Sequence, residues 1–198
     1  MSRKIVFIPL DSYGHVNSCV GIAEKLKNRG HEITFVLEQA WNGEMKAHGF
    51  GEELFTDPAR PPGAKPNEYW VNSMDLIADT IHMDSLYKAG HQSLVEFEEF
   101  IMHEFNFDDQ IERILNKIQP DLIILDHYIT LPAVYKSPFK WIQMTSAGPL
   151  GCLPHPDLPP SGSGNLLFFS ISSSSVIKFC FFLNRLSSRW RSKRLENF

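Results

Sequence analysis

Two short runs of unbroken apolar residues constrain this chain most: Ile5-Val6-Phe7-Ile8-Pro9-Leu10 and Leu122-Ile123-Ile124-Leu125. A strand with one wet face alternates apolar and polar residues. A run without alternation belongs in a sheet covered on both faces, as parallel sheets are. After the first run, Val16, Cys19, Val20, Ala23 and Leu26 recur at helical spacing, with Glu24, Lys25, Lys27 and Asn28 on the opposite side. Gly30 is a good helix stop, and Ile33-Thr34-Phe35-Val36-Leu37 is a second β-rich run. Strand, helix and strand in close succession form a βαβ unit with parallel, neighbouring strands.

The alternation continues. A helix is expected near Trp41–His48 and a third strand near Glu52–Phe55. Asp57 to Asn67 holds four prolines and a glycine and reads as a surface loop. Glu68 to Lys117 is helical in pattern, in at least two pieces. Its clearest stripe is Ile111, Ile114, Leu115 and Ile118, closed by Pro120. After the fourth strand come a short helix at Leu131–Tyr135 and a fifth strand at Trp141-Ile142-Gln143-Met144. The expected fold class is therefore α/β, a doubly wound, Rossmann-like parallel sheet with strand order 3-2-1-4-5.

Residues 1–160 read as one domain, and 161–198 as a linker followed by a tail of different physics. Beyond Asn165 six basic residues face the single acid Glu196, leaving 13 basic against 22 acidic residues before it. The formal charge of −4 argues against general nucleic-acid binding. Leu166 to Leu183 is apolar but broken by five serines and Lys178, so insertion into a membrane would be costly. It reads as a segment outside the fold, for instance read-through from a non-coding region, with membrane contact through 166–183 as the alternative. The run Ile5–Leu10 is too short for a secretory signal, and Cys19, Cys152 and Cys180 form no C-x-x-C pair. Both point to a cytoplasmic protein with free, mostly buried thiols.

Ligands of open α/β sheets bind beyond the carboxyl ends of the strands, where the strand order reverses. In this order that point lies between strands one and four, which end in Asp11-Ser12-Tyr13-Gly14-His15 and Asp126-His127-Tyr128. An imidazole and a carboxylate thus converge on one crevice. Gly14 leaves room for close approach, and His15, expected to be solvent-accessible at the start of a helix, is the residue type best suited to general-base work near neutral pH. Asp126 can hold its other ring nitrogen and fix the tautomer. The alternative is a helix-capping histidine and a strand-end aspartate with no chemistry. No G-x-G-x-x-G, P-loop, G-x-S-x-G elbow or H-E-x-x-H is present, which argues against a bound cofactor or metal. Asp108-Asp109 and Glu98-Glu99 read as solvated helix surface.

These residues carry a resemblance. Lys4 to Pro9, Gly14-His15-Val16-Asn17, Gly21 to Leu26 and Arg29-Gly30-His31-Glu32-Ile33-Thr34-Phe35-Val36 resemble the opening of UDP-glycosyltransferases of the GT-B fold. Pro120 to Asp126 resembles the strand bearing that family's second catalytic residue, and Leu131 to Val134 and Pro138 to Met144 continue as the family does. The resemblance covers about residues 4–160. It implies an inverting hexosyl transfer from a UDP-sugar to a hydroxyl of a small lipophilic acceptor, with His15 as base and Asp126 as its partner. It also implies acceptor contacts from Gly14 and from aromatic and Met residues such as Trp70, Met74 and Tyr87, which could equally be helix packing. Ser18 stands where a proline is frequent in the family. Nothing resembles the family's donor-binding C-terminal signature, so the expectation is an acceptor-side half, inactive alone, that meets a UDP-sugar only with a C-terminal domain. The alternative is a non-catalytic module binding a small molecule or a partner.

Overall fold

The computed structural model describes residues 1–58, 60, 63–66, 68, 82 and 97–146. Five strands lie in one parallel sheet: β1 (Lys4–Pro9), β2 (Glu32–Glu38), β3 (Gly51–Phe55), β4 (Leu122–Asp126) and β5 (Trp141–Met144). Their order is β3-β2-β1-β4-β5, as the alternation of elements predicts. Five α-helices are described: α1 (Tyr13–Asn28), α2 (Glu44–Ala47), α3 (Phe97–Glu104), α4 (Asp108–Ile118) and α5 (Pro132–Tyr135).

Alternate residues of the unbroken apolar strands feed two cores. Ile5, Phe7, Phe35, Leu37 and Ile124 pack on one face with Val16, Cys19 and Ala23 of α1. Val6, Ile8, Val36, Ile123 and Leu125 pack on the other with Ile111 and Leu115 of α4 and with Ala133 and Val134 of α5. Phe7 and Phe35 stack at 5.2 Å between ring centroids. Each such side chain, fully buried, contributes about 1.5–3 kcal/mol.

Two expectations need correction. The helix foreseen near Trp41–His48 is split into a 3-10 turn, Gln39–Trp41, and α2. Gly43 between them has φ 93°, a left-handed conformation that interrupts a helix. The Glu52 carboxylate then accepts from the Gly43 and Met45 amides at 2.9 and 3.2 Å, which starts α2 anew. The second correction concerns Asp108. It is buried rather than solvated, and its Oδ1 accepts from the Ala133 amide at 2.8 Å, tying α4 to the start of α5.

Among the described residues no helix is long and apolar enough to cross a membrane. The segment 166–183 lies outside them, as do Trp70, Met74 and Tyr87.

Helix α4 ends on Gln119 at φ 54°, ahead of Pro120. An L side chain in the left-handed region costs roughly 1–2 kcal/mol, which glycine avoids. Gln119→Gly is therefore expected to raise stability by about 1 kcal/mol, read as a higher urea midpoint. A lower midpoint would mean that the bond from Gln119 Nε2 to the Asn116 carbonyl, 2.8 Å long, outweighs the strain.

Candidate active site

The pairing of β1 with β4 sets Pro9 opposite Asp126, and the Leu10 amide extends the ladder by donating to the Asp126 carbonyl at 2.9 Å. Beyond Leu10 the chain turns at Ser12, whose extended backbone (φ −151°, ψ 138°) opens α1. Tyr13, Gly14 and His15 form its first turn. Side chains in a first turn lean back toward the helix start, and that direction carries His15 over the end of β4.

The two sequence-predicted residues meet there. His15 Nδ1 lies 3.1 Å from Asp126 Oδ2. Nε2, on the far side of the ring, takes no hydrogen bond from a described residue. Asp126 is fully buried, and its Oδ1 accepts from the Ser146 amide at 3.0 Å. Burial alone would push this carboxyl up, but the bonds from His15 and from Ser146 outweigh it and hold Asp126 below the ordinary carboxylate value. It is therefore charged at neutral pH. One turn along α1, buried Cys19 has its Sγ 4.0 Å from Asp126 Oδ2. Burial, and then the Asp126 charge, push that thiol up, so it stays protonated and inert.

The solvent-accessible histidine expected at position 15 is instead 6% exposed. The Tyr128 ring meets it edge-on at 5.3 Å, and the Ser146 hydroxyl lies 3.0 Å from Nδ1. The turns after β4 and β5 thus close over the imidazole. Gly14 remains exposed, and a Cβ placed there would meet only Ser12 Oγ, at 3.9 Å.

A second polar group lines a crevice beside this pair, formed by Asp11, Glu38, Asp57, Arg60, His103, Glu104 and His127 above Ile8, Pro9 and Phe55. The loop placed on the surface by its prolines in fact turns Asp57 and Arg60 inward. Asp57 is 2% exposed, and the Arg60 guanidinium pairs with Asp11, with Glu38 at 3.5 Å and with Asp57 at 3.8 Å. The reason is electrostatic. Three carboxylates at the ends of three successive strands require a cation when water is excluded. Burial, first of all, raises the Glu38 carboxyl. On the other wall, His103 Nε2 lies 2.7 Å from Asp57 Oδ2, and His127 Nε2 lies 3.0 Å from Glu104 Oε2.

Sequence reasoning missed Ser146 and this crevice. A signal for the crevice was present: an acid stands at or just beyond the carboxyl end of β1, β2 and β3. Among the described residues no group of three or more His, Cys, Asp or Glu side chains could hold a metal ion.

No protein-family model matches the sequence, and no curated protein matches it significantly. Solved structures do. A Streptomyces sp. SF2575 glycosyltransferase, SsfS6, complexed with thymidine diphosphate, is 14% identical over 72% of this chain and 38% of its own, with a TM-score of 0.50. The kitacinnamycin glycotransferase is 17% identical over 73% of this chain and 30% of its own, at a TM-score of 0.46. Glycyrrhiza uralensis UGT73P12, complexed with glycyrrhetinic acid 3-O-monoglucuronide, is 14% identical over 72% of this chain and 28% of its own, at 0.44. The chain thus spans well under half the length of each.

Burial opposes the charge on His103, but hydrogen bonds and attraction from Glu104 and Asp57 outweigh it and raise this histidine above 6.5. Burial likewise opposes the charge on Glu104, yet His103 and His127 hold it below 4.5. The histidine's contribution to stability is complete below 6.5 and is lost as pH rises through its raised value. The glutamate's is complete above 4.5 and is lost as pH falls through its lowered one. The stability gap between the wild type and His103→Gln should therefore be widest between those two values and shrink on the alkaline side. Denaturation midpoints measured from about pH 5 to about pH 9 check this, and a constant gap would contradict it.

Over the part it covers, the chain has the Rossmann-like fold of GT-B glycosyltransferases.

Proposed function

We propose that this chain is the acceptor-side half of an inverting, UDP-sugar-dependent glycosyltransferase acting on a hydroxyl of a small lipophilic acceptor. The observation that supports this best is the 3.1 Å contact between His15 Nδ1 and Asp126 at the reversal point of the sheet, with Nε2 bonded to none of the described residues. In the proposed reaction Nε2 takes the proton of the acceptor hydroxyl. The acceptor oxygen forms a bond to the anomeric carbon from one face, the bond to UDP breaks on the other, and UDP leaves as an anion. Asp126, charged and buried, stabilises the imidazolium that results. A donor-binding half presents the UDP-sugar. The unpaired, buried Cys19 fits a reducing, cytoplasmic setting.

Low exposure of His15 favours a second reading, a binding module without catalysis, because a capping histidine would be covered in the same way. Transfer assays separate the two. With a C-terminal donor-binding half fused to the chain, His15→Ala is expected to lower sugar transfer to a phenol by about 10²–10⁴-fold. Equal transfer in the wild type and His15→Ala would leave only the binding module.

Gly14→Ala tests the acceptor approach separately. The added methyl meets no crowding in the protein, and alanine suits a helix better by about 0.5–1 kcal/mol. The variant should be at least as stable as the wild type, while the acceptor KM rises several-fold. An unchanged KM would remove Gly14 from the acceptor site.

A further inference from the structure

Ser146 touches both members of the His15–Asp126 pair, and nothing in the sequence motifs singles it out. Its amide donates to Asp126 Oδ1 at 3.0 Å, and its hydroxyl lies 3.0 Å from His15 Nδ1. The sheet explains why. β5 pairs with β4 so that Met144 stands opposite Asp126, and the chain leaving β5 therefore crosses the carboxylate two residues later.

The chemistry at Nδ1 is asymmetric. A carboxylate only accepts, so Asp126 Oδ2 at 3.1 Å can bond Nδ1 only when Nδ1 carries the hydrogen. A hydroxyl can act either way. With the hydrogen on Nδ1, Ser146 Oγ accepts a share of it and can turn its own hydrogen to Asp126. Three groups then close a ring of hydrogen bonds in which each satisfies the next. With the hydrogen on Nε2, the Ser146 hydroxyl could donate to the bare Nδ1 instead, but Asp126 Oδ2 would face that same lone pair. A hydroxyl bond to a carboxylate is the stronger of the two, so the hydroxyl favours the Nδ1–H form.

We propose that Ser146 is a positioning residue that locks His15 in the Nδ1–H tautomer, leaving the Nε2 lone pair for the acceptor proton. The inference deepens the dyad reading and rests on it. Ser146 touches no reacting atom in this scheme; it acts through His15 and Asp126. Asp126 held low by bonds that include those of Ser146 is consistent with this arrangement.

The test is NMR of the 198-residue chain without donor or acceptor. Side-chain ¹⁵N shifts of His15 report the tautomer, and ¹³C shifts of the Asp126 carboxyl report its titration. Ser146→Ala keeps the amide and removes only the hydroxyl. It should lower the ratio of Nδ1–H to Nε2–H forms about five-fold, the worth of one ordinary hydrogen bond, and move the Asp126 midpoint upward. Ser146→Thr, which restores the hydroxyl, should return both to the wild-type values. Wild-type readings in Ser146→Ala would overturn the proposal. Should that variant lose its fold, the wild type decides alone. A wild-type ¹⁵N pattern with Nδ1 protonated and Nε2 bare, together with a slowly exchanging Ser146 hydroxyl proton, supports the lock, and an Nε2–H pattern overturns it. Neither readout involves sugar transfer. A tautomer shift in Ser146→Ala alongside equal transfer by the wild type and His15→Ala would sink the catalytic reading and leave the lock standing.

Discussion

The parallel pairing of β1 with β4 is the constraint on which the site depends. These strands end at Pro9 and begin again at Leu122, so closing the loop between them costs chain entropy that local structure does not return. Burial returns it. Val6, Phe7, Ile123 and Leu125 are fully covered from both faces, a state available only to strands in the middle of a helix-covered sheet. Once the register sets Pro9 against Asp126, the first turn of α1 brings His15 over that carboxylate with no further adjustment.

Buried charge shapes the rest of the carboxyl edge. Asp126 keeps its charge because an imidazole, an amide and a hydroxyl surround it. Arg60 faces three carboxylates, and His103 and His127 serve Asp57 and Glu104. Pairs of this kind add little net stability compared with apolar packing, but removing one partner strands the other in a dry site. The charged groups of the crevice beside the dyad thus help to hold one another in place.

Most of this architecture was legible in the residues, because unbroken apolar strands permit few sheets. Leu122 to Leu125 announced a doubly covered strand, and the strand order then placed the reversal point. Three things were not legible. Gly43 interrupts a helical pattern through its backbone conformation, which periodicity does not encode. Arg60 lies inward although its neighbouring prolines mark a loop, because carboxylates from three distant strands draw it there. The exposure of His15 depended on the turns after β4 and β5, and these sit more than a hundred positions away in the chain.

A fold shared with glycosyltransferases does not make this chain one; the proposal rests on the pair at the switch point and on which ligand reaches it. The most direct measurement is the side-chain ¹⁵N spectrum of His15 during separate titrations with a phenol and with UDP-glucose. The phenol is expected to shift the Nε2 resonance and leave Nδ1 nearly in place, while UDP-glucose alone moves neither. A phenol that leaves Nε2 unmoved would contradict the assignment of this chain to the acceptor side. So would micromolar binding of UDP-glucose at the same ring.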